Sequence, residues 1–395
     1  MEHNKLIFSK VPTLRFADYT DEWHKYALSD FVTRITRRNK NNESSLPLTI
    51  SAQYGLVDQI TFFNKTVASV DLSGYYLLYN GDFAYNKSYS NDYAWGAVKR
   101  LDKYEKGCLS SLYFVFRPTD KVDSDYLTHY FETNKWHKGI SDIAGEGARN
   151  HGLLNMAVDD YFATKHYLPS LSEQKKIACF LNLITKRIEI QNKIISDLKV
   201  LKKELCNKVF GKGSAVRLGD FIEEVTTRNK SNSCENVLSV SNKMGFIKQS
   251  EQFEDRTVAS ENKSNYKVVT EGCFAYNPAR INVGSIALLS TYKIGIISPM
   301  YVCFKTKSNL NSEYLNFYYQ SGFFYKELQK KLEGSVRQCL TYENMSEILI
   351  PYVGIEEQKA IAVTLNKFAT LIATEEKYIK SLQKQKSYFL NAMFI

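Results

Sequence analysis

Two stretches of this chain carry apolar residues at alternating steps of four and three, the seam of a coiled coil. The first reads Ile177, Leu181, Ile184, Ile188, Gln191, Ile195, Leu198, Lys202, Leu205 and Val209. The second reads Ile361, Leu365, Phe368, Ile372, Glu375, Ile379, Leu382, Lys386, Phe389 and Met393. Both seams are broken at the same two steps, by Gln191 and Lys202 and then by Glu375 and Lys386. Polar seam residues cost stability and fix register. An antiparallel alignment that sets Glu375 beside Lys202 also sets Gln191 beside Lys386, so the two helices are expected to pair within one chain. Each helix packing on its own domain, or two chains pairing, is the alternative. Pro169-Ser170 followed by Glu173 reads as a capping box. The second helix has Pro351, Gly354 as its N-cap and Glu357 at its third position.

The segments before the helices alternate short aromatic and β-branched runs with loops. Tyr75–Tyr79, Tyr113–Phe116 and Tyr301–Phe304 read as strands. Ser124–Glu132 and Ser312–Gln320 read as helices, each opened by its serine as N-cap. The chain is also written twice. Phe83-Ala84-Tyr85-Asn86 returns as Phe274-Ala275-Tyr276-Asn277, Val67-Ala68-Ser69 as Val258-Ala259-Ser260, and Glu173-Gln174-Lys175 as Glu357-Gln358-Lys359. The order never changes, which marks an internal duplication. The expected architecture is therefore two tandem α+β or α/β domains, 1–169 (with an N-terminal segment 1–22) and 213–350. The long helices 170–212 and 351–395 separate them and form an antiparallel coiled coil with pseudo-two-fold symmetry.

Composition narrows the partners. The chain has 395 residues and a net charge of +10. Residues 1–169 are neutral, whereas 170–212 carry +6, and 213–350 and 351–395 carry +2 each. A basic balance permits nucleic-acid binding without proving it. Seven scattered cysteines with no C-x-x-C pair argue against zinc and against a disulfide framework, as in a reducing cytoplasm. No run approaches the ~18 apolar residues that span a bilayer, so no membrane role is expected.

The phrase Leu168-Pro169-Ser170-Leu171-Ser172-Glu173-Gln174-Lys175-Lys176-Ile177-Ala178, with Phe180-Leu181 and later Leu198, Leu201-Lys202-Lys203, resembles the conserved helix of type I restriction-modification specificity subunits. Ile350-Pro351, Glu356-Glu357-Gln358-Lys359, Ile361-Ala362 and Leu365 are similar to it too, as are Val11-Pro12, Leu14-Arg15-Phe16, Trp23 and Leu28-Ser29-Asp30-Phe31 at the start. The likeness covers essentially the whole chain in the order recognition domain, helix, recognition domain, helix. It implies a cytoplasmic, non-catalytic subunit that binds double-stranded DNA and directs two modification (methyltransferase) subunits. In the full complex restriction (translocase-nuclease) subunits join, and S-adenosylmethionine, ATP and Mg belong to the partners.

The residues themselves offer little chemistry. Glu-x-Lys occurs twice, at Glu173 and Glu357, but no further acid stands nearby to share a Mg²⁺, so helix capping and a solvated first turn are expected. No Pro-Pro occurs, so the amino-methyltransferase loop is absent, Asn277-Pro278-Ala279-Arg280 being the nearest approach. Gly211-Lys212-Gly213-Ser214 lacks the first glycine of a P-loop. Arg, Lys, Asn and Gln are the types that read bases and phosphates. Arg34, Arg37, Arg38 and Lys40 form a basic cluster matched by Arg228 and Lys230. Asn86-Lys87 and Asn277 to Arg280 follow the repeated strand. Arg149 and Asn150, with Arg337 and Gln338, lie in segments that resemble the family's Gly-and-Arg loop. A coiled-coil scaffold without a DNA role, or a stand-alone DNA-modifying enzyme, remains open at this point.

Overall fold

The computed structural model describes residues 10–65, 67–90, 93–145, 152–242, 244–252, 262–332 and 338–395. The chain divides into two compact units: Met1–Gln191 with Tyr378–Ile395, and Asn192–Lys377. Each unit thus holds one sheet-rich body and a piece of each long helix. The first helix runs Leu171–Phe210 and the second Ile355–Ala392.

In the first unit a four-stranded antiparallel sheet has the order Val32–Arg34, Phe114–Pro118, Phe83–Asn86, Ala97–Arg100. A hairpin, Leu48–Ser51 with Gly55–Asp58, and the pair Tyr76–Tyr79 with Lys106–Leu109 stand beside it. The second unit repeats the plan. Its sheet runs Ile222–Glu224, Val302–Thr306, Cys273–Tyr276, Ile286–Leu288. Its hairpin, Val237–Ser241 with Gly245–Lys248, joins Ile294–Ile297 and Lys267–Thr270 in a second four-stranded sheet. All named pairings among the described residues are antiparallel except Val237–Ser241 with Ile294–Ile297. The bodies are therefore α+β rather than parallel α/β.

Why the same chain pattern folds twice is visible in the cores. Successive residues of a strand face opposite ways, so the repeated strand turns Phe83 and Tyr85 into one core cluster and Ala84 into another. Phe83 stacks on Phe116 with ring centres 5.6 Å apart, and Phe274 on Phe304 at 5.1 Å. Tyr76, Tyr318 and Tyr319 are buried, so the paired tyrosines serve the core. The helices Ser124–Tyr130 and Ser312–Tyr319 form as expected, but their caps stand one residue earlier than the serines. Asp123 accepts from the Tyr126 N–H and Asn311 from the Tyr314 N–H, both at 2.9 Å. An Asx oxygen in this place satisfies a free N–H of the first turn.

The long helices are held at their heads by glutamine. Gln174 is buried; its Oε1 accepts from the Asp123 N–H at 2.8 Å and its Nε2 donates to the Pro169 carbonyl at 3.0 Å. Gln358 does the same with the Asn311 N–H and the Val353 carbonyl, both at 2.8 Å. The expected solvated first turn is thus corrected for the first helix. Ser170 Oγ does accept from the Glu173 N–H, but the Glu173 side chain turns away from the capping box. It is buried and takes two hydrogen bonds from Arg15, at 2.7 Å each. A bidentate guanidinium is a stronger partner for a buried carboxylate than a backbone N–H. Glu357 is exposed.

The helices run antiparallel inside each unit. In the first, Phe180 meets Phe389 with centres 4.9 Å apart, and Arg187 donates to the Tyr378 hydroxyl. In the second, Lys199 pairs with Glu376 at 2.6 Å. In the first unit the register differs from the expected one, which would set Phe180 beyond the last residue, whereas in the second Lys199 and Glu376 stand within two residues of it. The seam lysines have other partners. Lys386 pairs with Glu132 at 2.9 Å, and Lys202 lies over the Phe317 ring at 5.1 Å. Gln191 is buried, as are Ile195, Ile372, Ile379 and Leu382 of the seams.

The helix ends dock on the bodies in the same way. Phe394 packs on Tyr126 and Tyr130 at 5.2 and 6.0 Å, and Phe210 on Tyr314 and Tyr318 at 5.3 and 5.6 Å.

Gln174→Ala or Gln358→Ala leaves a half-buried N–H, of Asp123 or Asn311, without its partner and should cost about 1–3 kcal/mol each in urea unfolding. Glu357→Ala, at the exposed neighbour, should stay within about 0.5 kcal/mol. Unchanged unfolding of both glutamine variants would contradict the role of the pin. A second expectation concerns His166, buried between the Tyr130 hydroxyl and Thr164 Oγ1, each 2.8 Å away. Burial lowers its pKa from 6.5 to about 4. Unfolded, it binds a proton near 6.5; folded, only near 4. Stability due to this group is therefore intact above pH 6.5 and falls by up to about 3 kcal/mol between there and pH 4. His166→Gln should flatten that part of the pH–stability curve.

Candidate nucleic-acid interface

The basic clusters sit on a loop that is built twice. Arg38-Asn39-Lys40 with Asn42 returns as Arg228-Asn229-Lys230 with Asn232. The asparagine between the two cations is the staple. Asn39 is buried; its Nδ2 donates to the Ser44 carbonyl at 2.9 Å and its Oδ1 accepts from the Ser44 N–H at 3.1 Å. Asn229 makes the same two bonds with Cys234, at 2.9 and 3.2 Å. Asn42 and Asn232 take φ of 50°, the left-handed conformation that asparagine tolerates. Sequence reasoning picked the cations and passed over the asparagines, although the repeat R-N-K-x-N was there to be seen.

The arginines of the loop are partly committed to it. Arg38 donates to the Gly74 carbonyl at 2.6 Å and lies over Tyr76 at 4.3 Å. Arg228 donates to the Asn265 carbonyl at 2.7 Å. Arg37 lies over Tyr79 and pairs with Asp82 at 3.0 Å, and Asp82, wholly buried, also takes Arg117 at 2.6 Å. Arg37 is thus first of all a counter-ion. Arg34, Lys40 and Lys230 are exposed.

Asn86 ends the repeated strand and Lys87 follows it. Asn86 Oδ1 accepts from the Ser88 N–H at 2.9 Å. Lys87 lies over the Phe114 ring at 4.7 Å, and desolvation lowers its pKa. In the second unit Asn277 is buried and its Oδ1 accepts from the Ala279 N–H at 3.1 Å, which turns the chain and leaves Arg280 exposed. Arg280 borders a cavity of about 340 Å³ that Ser239, Ser241, Asn242, Gln249 and Asn277 also line. Gln338 is exposed. Arg149, Asn150 and Arg337 lie outside the described residues, as does the repeated Val258-Ala259-Ser260.

The buried pairing of Glu173 with Arg15 takes that carboxylate out of any metal role. Among the described residues no group of three or more His, Cys, Asp or Glu could hold a metal ion, and no helix is long and apolar enough to cross a membrane. Beside Lys386, the Glu132 carboxyl feels burial, which alone would raise its pKa. His129 at 3.2 Å and Lys386 outweigh that and hold it down at about 2.

Residues 214–384 match the family model described as the type I restriction modification DNA specificity domain. Two curated proteins of Methanocaldococcus jannaschii are similar over most of their length. The type I restriction enzyme MjaVIII specificity subunit is 25% identical over 73% of this chain and 74% of its own. The putative type I restriction enzyme MjaX specificity subunit is 26% identical over 71% and 69%. The crystal structure of a type I restriction-modification S subunit from M. genitalium shares the fold, with a TM-score of 0.58 over 98% of this chain and 99% of that one at 14% identity. The twice-built body with a long helix after each is the fold shared with that S subunit, and in sequence the chain is similar to the specificity subunits of type I restriction-modification systems.

Proposed function

We propose that each sheet-rich body reads one half of a bipartite, asymmetric site on double-stranded DNA, and that the helix pair fixes the unread gap between the halves. The observation that carries this reading is the stapled basic loop, repeated with the same hydrogen bonds but different neighbours. A shared scaffold with unlike contact residues recognises two unlike half-sites, where a symmetric dimer reads a palindrome. Two modification subunits dock on the helix pair. Leu183, Ile190, Ile194 and Leu201 support this, because they recur at heptad-related steps along the first helix and are all exposed. Restriction subunits join the full complex. In this reading the chain does no chemistry, and S-adenosylmethionine, ATP and Mg are bound by its partners.

The first test is a methylation map of cells with and without the gene: loss of one split, asymmetric motif is expected, and no change would count against the proposal. Removing one heptad from both long helices should change the preferred gap or abolish binding. A gap preference that survives the deletion, read with a series of spacer variants, would falsify the spacing role. Lys40→Ala should leave folding intact and reduce the slope of log affinity against log salt by about 1. Asn39→Ala should instead unstaple the loop, at about 1–2 kcal/mol of stability.

A further inference from the structure

The hairpin in each body ends in a tip of the same construction. Ser51 Oγ accepts from the Tyr54 N–H at 3.1 Å, and Ser241 Oγ from the Met244 N–H at 3.3 Å. The next residue is glycine in both, Gly55 with φ of 81° and Gly245 with φ of 68°. A side chain would be strained in that conformation. Ser51 and Ser241 thus tie the end of each first strand to the residue before the glycine. Each tip nevertheless lifts a large apolar side chain out of the protein: Tyr54 is 61% and Met244 73% exposed. These positions correspond in the repeat, so the same feature occurs twice in unlike residues. Gln53 directly precedes Tyr54, and Asn242 stands two residues before Met244; both are exposed amides, at places that do not correspond in the repeat, where Asn242 matches Ala52.

In the second unit the tip adjoins the polar cavity. Asn242 Nδ2 donates to the Val283 carbonyl at 3.4 Å, and Asn242, Gln249 and Arg280 border the same space of about 340 Å³. Amides and a guanidinium, with no carboxylate among the lining residues, suit base edges. A two-stranded ribbon is also one of the two elements the major groove admits. Apolar side chains at such a point can wedge between base steps or meet a thymine methyl.

The geometry points to the hairpin tips as the elements that enter DNA: Gln53 and Tyr54 at one half-site, Asn242 and Met244 at the other. This rests on the DNA-reading proposed above and assigns it to residues. The amide of each tip meets a base edge, and the apolar neighbour excludes water beside it.

The test uses the full chain with its modification subunits and a pool of randomised DNA duplexes. The wild-type complex should select a split motif. Gln53→Ala and Tyr54→Ala should relax base preference in one half only, and Asn242→Ala and Met244→Ala in the other. Each should lower affinity for the wild-type site roughly 5- to 100-fold. Gln53→Glu and Asn242→Asp keep the size of the tip while replacing a donor with a negative charge, and should lose at least as much. Thermal unfolding should not change for the Gln53, Tyr54 and Met244 variants, whose side chains are exposed; the Asn242 variants also lose the bond to Val283, so Met244→Ala carries the test of that half. If the motif and the affinity, within twofold, survive every substitution, the tips do not read DNA, and the DNA-reading itself stands. A wild-type complex that selects no motif overturns both.

Discussion

A buried glutamine at the head of each long helix joins the helix to the body it carries. The amide of Gln174 satisfies the N–H of Asp123, and Asp123 in turn caps the helix that begins at Ser124. Gln358, Asn311 and the helix from Ser312 repeat the chain of bonds. Each link leaves a buried polar group unpaired when the next is removed, so the orientation of the body's helix is tied to the start of the long one. The aromatic contacts act at the same place: Phe394 on Tyr126 and Tyr130, and Phe210 on Tyr314 and Tyr318, press the opposite helix end onto that small helix. Polar bonds set direction there, and apolar burial supplies the larger share of the free energy.

The duplication and the helix pair were legible because periodicity and repetition are carried by residue type. The register was not. The expected register was set by pairing seam charges with each other, whereas those side chains have partners far off in sequence. Lys386 is drawn to Glu132 and Lys202 to Phe317. The same holds for Glu173. Its capping role is a local inference, whereas Arg15, 158 residues earlier, decides where its carboxylate goes. At the interface, charge drew attention to Arg37 and Arg38, yet both are held by carbonyls, rings or Asp82. Asn39 and Asn229 give no signal by charge. Only their repetition between two cations, at matching places, shows that the loop needs them.

The two units keep a common frame and differ where side chains have no part in it. Lys386 faces the carboxylate of Glu132, with His129 on its other side, whereas its counterpart Lys202 faces an aromatic ring. A cation is welcome in both settings, by an ion pair in one and by the ring quadrupole in the other. The frame therefore asks for a positive charge at that point and leaves its partner free to drift.

That division has a consequence for recognition. The stapled loops and the serine bonds at the hairpin ends hold the same backbone in both bodies, while Tyr54 and Met244 put unlike exposed side chains at one place. Residues that are exposed and unpaired by the fold can change without much cost in stability. On the proposed reading, half-sites met by separate bodies would contribute nearly additively. A new specificity can then arise in one half while the other half, the helices and the partner surface remain as they were. The buried glutamines and docking phenylalanines belong to the part that cannot change in this way, because each is enclosed by groups from two elements at once.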